Sequence, residues 1–103
     1  MSLNEAFVAL SDPIRREIIE LLKKKEMSAG EIAEHFDITA PAISYHLRKL
    51  KAGNLITEER VKTYIYYRFN PAAFTEVMRW MAPTPASLQE LEDAAPAEKD
   101  LQK

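Results

Sequence analysis

The stretch SAGEIAEHFDITAPAISYHLRKLKAGN, residues 28–54, decides the fold. Ser28 followed three residues later by Glu31 has the spacing of a capping box, so a short helix begins there. Ile32, Ala33 and Phe36 form its apolar face. Asp37-Ile38-Thr39 reads as a tight connection. Thr39 is expected to cap a second helix, with Ala40, just before Pro41, as the other candidate for that place. Ile43, Leu47 and Leu50, at i, i+4 and i+7, turn this helix toward a core. Gly53 is the expected left-handed residue after its last turn. Two short helices joined by a turn of three or four residues form a helix-turn-helix.

The flanks extend this pattern. Leu3, Phe7 and Leu10 predict a short first helix, and Asp12-Pro13 predicts the cap and first residue of a second. Ile14, Ile18, Leu21 and Leu22 give that helix an apolar face, with Arg15, Arg16, Lys23 and Lys24 largely off it. Beyond Gly53 the period changes. Leu55-Ile56-Thr57 and Tyr64–Phe69 read as two strands of a hairpin, with polar residues between them apart from Val61. Asn70-Pro71 is expected to cap a last helix lined on one side by Phe74, Val77, Met78 and Met81. The expected fold is mainly α with a small β-hairpin. It is a winged helix-turn-helix: a three-helix core plus a two-stranded wing, with N- and C-terminal helices left over for dimerisation. Residues 1–81 form this one domain. Residues 82–103, acidic and containing Pro and Ala, are expected to be a mostly disordered tail with a short helix near Ser87–Asp93.

Composition excludes several classes. The chain has 103 residues and no cysteine, so disulfides, thiolate metal sites and cysteine nucleophiles are out. No apolar run approaches a membrane span and the N-terminus does not read as a secretory signal, so a cytoplasmic address is expected. The net charge is −2, but it is unevenly spread. Ile38 to Phe69 holds six basic and two acidic residues, net +4, whereas residues 1–37 and 82–103 are each net −3. A basic middle between acidic ends fits a nucleic-acid surface that the whole-chain charge conceals.

With Ile43, Leu47 and Leu50 facing inward, the second helix of the pair shows Ala40, Pro41, Ser44, Tyr45, Arg48 and Lys49 on its opposite face. In a helix-turn-helix that face enters the major groove of double-stranded DNA. Small residues at its start permit close approach, and Ala40 or Pro41 suits a thymine methyl. Ser44 and Tyr45 offer hydrogen bonds to base edges, while Arg48 and Lys49 suit phosphates. Thr39 at the cap and His46 at the flank complete the helix's share, and Arg60 and Lys62 sit at the wing tip.

These residues also carry a resemblance. Ser11-Asp12-Pro13-Ile14-Arg15-Arg16, Ser28-Ala29-Gly30-Glu31-Ile32-Ala33, Ala42-Ile43-Ser44-Tyr45-His46-Leu47 and Ala52-Gly53-Asn54-Leu55-Ile56, in this order and spacing, resemble the ArsR family of bacterial repressors over about residues 4–81. The resemblance implies a homodimer with the first and last helices at its interface, an inverted-repeat operator and repression relieved by an effector. Leu3, Phe7, Phe74, Val77, Met78, Trp80 and Met81 are the expected interface residues. The apolar residues of the last helix cover more than one face, which points the same way. The sequence departs from metal-sensing members. The helix that carries their cysteine motif has none here, and the last helix offers only Glu76 as a ligand. The resemblance is therefore to the metal-independent, autorepressor-type branch, with no metal and no cofactor. A protein antirepressor, a small-molecule effector or no effector remain open.

Plainer readings stand beside these. His35 is expected to be a surface residue, since no partner with metal spacing is near. Ser44 and His46, two apart on a helix, face different directions, so no catalytic pair and no enzyme is expected. Tyr64, Tyr66 and Tyr67 are expected to pack in the sheet rather than to stack on single-stranded bases. Lys23-Lys24-Lys25 reads as a solvated helix end. Glu58-Glu59 reads as a solvated strand edge that would repel phosphate if it faced DNA. The alternative function is a winged-helix module for protein–protein interaction without DNA binding.

Overall fold

The caps written in the sequence set the helix boundaries. The structure, a computed structural model, describes residues 3–82; the expected tail and its helix near Ser87–Asp93 lie outside the described residues. The element order is α1 (Leu3–Leu10), α2 (Pro13–Lys24), β1 (Met27–Ser28), α3 (Ala29–Ala33), α4 (Ala40–Ala52), β2 (Ile56–Val61), β3 (Tyr64–Phe69) and α5 (Pro71–Met81). The Asp12 carboxylate accepts from Ile14 N at 2.7 Å and Arg15 N at 3.3 Å, opening α2. Partial burial works against the charged form of Asp12, but these two backbone donors outweigh it and hold its carboxyl below the ordinary range. Ser28 and Glu31 form the full reciprocal capping box of α3. Thr39 caps α4 through Ala42 N at 3.2 Å, so Ala40 is the first helical residue and not the cap.

Helix α3 is shorter than the apolar pattern suggests. After Ala33 the backbone tightens: His35 N bonds Ile32 O and Phe36 N bonds Ala33 O, each reaching back only three residues. The connection to α4 is accordingly six residues, Glu34 to Thr39. Ile18 and Ile19 of α2, Ile32 of α3, Ile43 and Leu50 of α4, and Leu55 and Ile56 at the start of β2 are almost wholly buried in one core.

The wing is a three-stranded antiparallel sheet in the order β1-β3-β2. The sequence pattern predicts only β2 and β3. Met27 and Ser28 add a short third strand, opposite Tyr67 and Tyr66. This strand buries Met27 and holds the start of α3 against the wing. Two residues are too few to show a period of two, which is why the pattern missed them.

Helix α1 is held by small residues. Leu3, Phe7 and Leu10 are only partly buried, and the fully enclosed positions are Ala6 and Ala9. Gly53, at the end of α4, presses on this helix. A Cβ at residue 53 would lie 3.0 Å from Ala6 Cα and 3.0 Å from Glu5 O. Gly53 is thus required by clearance, not by handedness: its φ is −80°, and the left-handed residue is Asn54 at φ 60°. Leu55 N reaches back to Leu50 O and Asn54 N to Lys51 O, the paired bonds of a Schellman ending. Asn70 departs from expectation too. Its side chain does not cap α5. Asn70 Nδ2 instead donates to Asn54 O at 2.8 Å, and Asn70 N donates to Leu55 O, tying the start of α5 to the end of α4.

Gly53→Ala is expected to cost about 1–3 kcal/mol, because the added methyl meets backbone that cannot yield. Gly30→Ala, with only Ser28 Oγ at 3.9 Å from its new Cβ, is expected to gain about 0.5–1 kcal/mol. Urea unfolding of both variants checks the pair.

Candidate nucleic-acid interface

The residues of the exposed face of α4 are set by its inward stripe. Ile43, Leu47 and Leu50 are buried, and Ala40, Pro41, Ser44, Tyr45 and Arg48 are exposed, with Lys49 half-buried. Tyr45 is 47% exposed and carries two cations: Arg48 Cζ lies 5.9 Å and Lys49 Nζ 5.5 Å from its ring centroid. These contacts bring one aromatic ring and two positive charges together on the outer surface of a single helix. Thr39 is exposed at the helix start, its hydroxyl occupied by the cap.

His46 is placed differently from expectation. It is half-buried, and its Nδ1 lies 3.1 Å from Arg15 Nη1. A guanidinium only donates, so Nδ1 accepts and the ring proton sits on Nε2. Arg15 is itself a departure, since it was expected off the apolar face and is only 7% exposed. Its Nε donates to Ala9 O at 2.7 Å and its Nη2 to Val8 O at 3.0 Å. Arg16 Nη1 donates to Leu10 O at 2.6 Å. The last carbonyls of α1 thus accept from two arginines of α2, with Val8 O also accepting from Ser11 N and Oγ, and the arginine charge suits the negative end of the helix. One of those arginines also meets α4.

At the wing tip, Val61 pairs with Tyr64 across the two-residue turn Lys62-Thr63. Lys62 adopts φ 59°, and it alone of the two is left-handed. That is the pattern of a turn whose first central position favours glycine. Arg60 and Lys62 are both exposed. Both wing carboxylates are paired: Glu58 with Lys51 at 2.5 Å, and Glu59 with Arg68 at 2.8 Å. Lys51 and Tyr67 were not among the expected site residues. They line, with Ser44, Leu47, Arg48 and Glu58, a cleft of about 250 Å³ between α4 and the wing. Only the packing of the sheet on α4 reveals it. Burial, and secondarily the Glu58 charge, push the Tyr67 phenol up from its ordinary range, so it remains a donor.

The expected interface residues divide. Val77 is 3% exposed and belongs to the protomer's own core, and Phe74 is half-buried against that core and the Phe69 ring. Leu3 and Phe7 are half-buried, with the Phe7 ring edge-on to Trp80 at 5.4 Å. Met78, Trp80 and Met81 are 55%, 62% and 62% exposed. Val8, 43% exposed on α1, was not expected among the outward-facing apolar residues. Among the described residues no three His, Asp or Glu side chains gather as a metal-ligand cluster, and no helix is long and apolar enough to cross a membrane.

Known proteins share this arrangement. A family model for a helix-turn-helix domain matches residues 10–59. The chain is 46% identical over 79 residues to the transcriptional repressor SdpR of Bacillus subtilis, covering 77% of this chain and 88% of that protein. It is 31% identical over 70 residues to the arsenical resistance operon repressor of Staphylococcus aureus, covering 68% and 67%. An ArsR-like transcriptional regulator from Rhodococcus sp. RHA1 superposes with a TM-score of 0.74 at 30% identity, over 89% of this chain and 87% of that one. The chain belongs to the ArsR family of winged helix-turn-helix repressors. As an ArsR-family member it is a DNA-binding transcriptional regulator and not an enzyme. A further neighbour is the homodimeric winged helix-turn-helix DNA-binding domain Mb0332 of Mycobacterium bovis, with a TM-score of 0.65 at 27% identity over 94% of this chain and 82% of that one.

Two predictions follow from the local geometry. Arg15→Ala leaves the Ala9 carbonyl without its buried charged donor, while Val8 O keeps Ser11 N and Oγ, and is expected to cost about 2 kcal/mol in urea unfolding, with Arg15→Lys recovering only part, because an ammonium cannot reach three acceptors in one plane. Lys62→Gly is expected to raise stability by about 1 kcal/mol by relieving the left-handed backbone, while weakening DNA binding through the lost charge; thermal melts and gel shifts read the two effects separately.

Proposed function

We propose that this ArsR-family protein is a homodimeric repressor that reads an inverted-repeat operator, with residues 1–81 as its DNA-binding and dimerisation domain. The observation that carries the reading is the outer face of α4. Ser44 and Tyr45 are exposed there and suit base edges, and Arg48 and Lys49, gathered about the Tyr45 ring, suit phosphates. Thr39, Ala40 and Pro41 admit the helix start to the groove, and Arg60 and Lys62 carry the wing toward the adjacent backbone. His46 acts by fixing the helix through Arg15 and does not contact phosphate by Nδ1. The protein–protein module is the weaker reading, because its named relatives are repressors.

Dimerisation is supported by the exposed Met78, Trp80 and Met81 beside Phe7, Leu3 and Val8, and by the homodimeric neighbour from Mycobacterium bovis. Two copies would place two recognition helices about 34 Å apart, one helical turn of DNA. The off-signal is not a metal in this reading. The chain has no cysteine, and one of its two histidines is engaged with Arg15. A protein antirepressor, a small molecule or no effector at all are the remaining options. The protein works where the DNA is, in the cytoplasm.

Selection from random duplexes by the purified chain is expected to return an inverted repeat, and Ser44→Ala or Tyr45→Ala to change its base preference. The double variant Trp80→Glu, Met81→Glu is expected to sediment as a monomer and to lose most operator affinity while keeping its helical circular dichroism. A dimer that persists in that variant, or a selected site without two-fold symmetry, counts against the proposal.

A further inference from the structure

The grooves of duplex DNA are separated by sugar-phosphate backbone. A protein that places a helix in the major groove and a wing at the neighbouring minor groove must therefore straddle one backbone strand. In this chain the space between α4 and the wing is the cleft lined by Ser44, Leu47, Arg48, Lys51, Glu58 and Tyr67. Ser44, Arg48 and Lys51 lie at i, i+4 and i+7 of α4, so three polar side chains share one ridge along it. Across the cleft Tyr67 and Glu58 are direct cross-strand partners on β3 and β2. Four of these groups are hydrogen-bond donors suited to an anion. The fifth is a carboxylate, and it holds Lys51 Nζ at 2.5 Å.

We propose that this cleft is a seat for one backbone phosphate of the bound duplex, held by Arg48, Lys51 and Tyr67 with Ser44 at its rim left to the base edges, and that Glu58 guards it by occupying Lys51 until the phosphate displaces it. The inference rests on the DNA-binding reading and adds two residues and a competing anion to it. Glu58 lowers affinity for every duplex alike, because a phosphate seat reads no sequence. It therefore suppresses non-specific binding and leaves discrimination to the outer face of α4. The exchange is cheap to open: Lys51 and Glu58 are 50% and 37% exposed, and both partners return to water or to another charge.

The test is fluorescence anisotropy of the full chain with a labelled 30-base-pair duplex of mixed sequence, across a potassium chloride series. Glu58→Gln is expected to tighten binding about three- to tenfold, and Lys51→Ala to weaken it by a similar factor and reduce the salt slope by about 0.9. Tyr67→Phe is expected to weaken binding about threefold without changing the slope, since it removes a donor and no charge. Circular dichroism melts confirm that each variant is folded, and the pair removed is exposed. If Lys51→Ala and Glu58→Gln both leave affinity and slope unchanged while Lys62→Ala still weakens binding, the seat is overturned and DNA binding stands. Weaker binding by Glu58→Gln overturns the guard. Failure of the unmodified chain to bind the duplex even at low salt overturns both the seat and the reading beneath it.

Discussion

Arg15 is the interaction on which the rest depends. One guanidinium, nearly enclosed, accounts for two carbonyls at the end of α1 and for His46 in the middle of α4. A buried charge is tolerated only when its donors are met, and here they are met by groups from two other helices. The orientation of α4 is thereby set against α1 as well as by its own apolar stripe. Among the described residues no buried side-chain nitrogen or oxygen lacks a partner, so this polar contact is complete.

The second constraint is the close crossing of α1 and α4. Ala6 is wholly enclosed, and Gly53 lies against the Ala6 and Glu5 backbone with no room for a Cβ. Just past Gly53 the chain reverses through Asn54, and Asn70 clasps that reversal from the start of α5. The end of α4, the root of the wing and the start of the last helix are thus joined within a few residues. The start of α5 is linked to the chain just past α4 by one backbone bond, Asn70 N to Leu55 O, and one side-chain bond, Asn70 Nδ2 to Asn54 O.

Much of this was legible in the sequence, and the reasons differ by residue. Asp12, Ser28, Glu31 and Thr39 cap helices using neighbours two or three positions away, so their roles are local and visible. Ile43, Leu47 and Leu50 mark the inward face of α4 by period alone, and the outward face follows by subtraction. Arg15 was misjudged because its partners, Val8, Ala9 and His46, are brought together only by packing. Gly53 was assigned the right position for the wrong reason, since clearance against Ala6 is not written near it. Lys51 and Tyr67 escaped because a cleft between a helix and a sheet has no sequence signature. Val77 was placed at an interface because an apolar stripe does not say which half of it faces the protomer's own core.

The open apolar side chains of α5 have a consequence for dose. Trp80 and Met81 are each 62% exposed in the protomer, so in the proposed homodimer their burial would favour association, and association would be governed by mass action. Operator occupancy that needs two copies then climbs with the square of protomer concentration while dimers are scarce, and only linearly once they predominate. Copy number itself would then be a control input: halving it would remove more than half of the repression near the threshold. A protein that represses its own synthesis through such a surface would settle at the concentration where the pair forms.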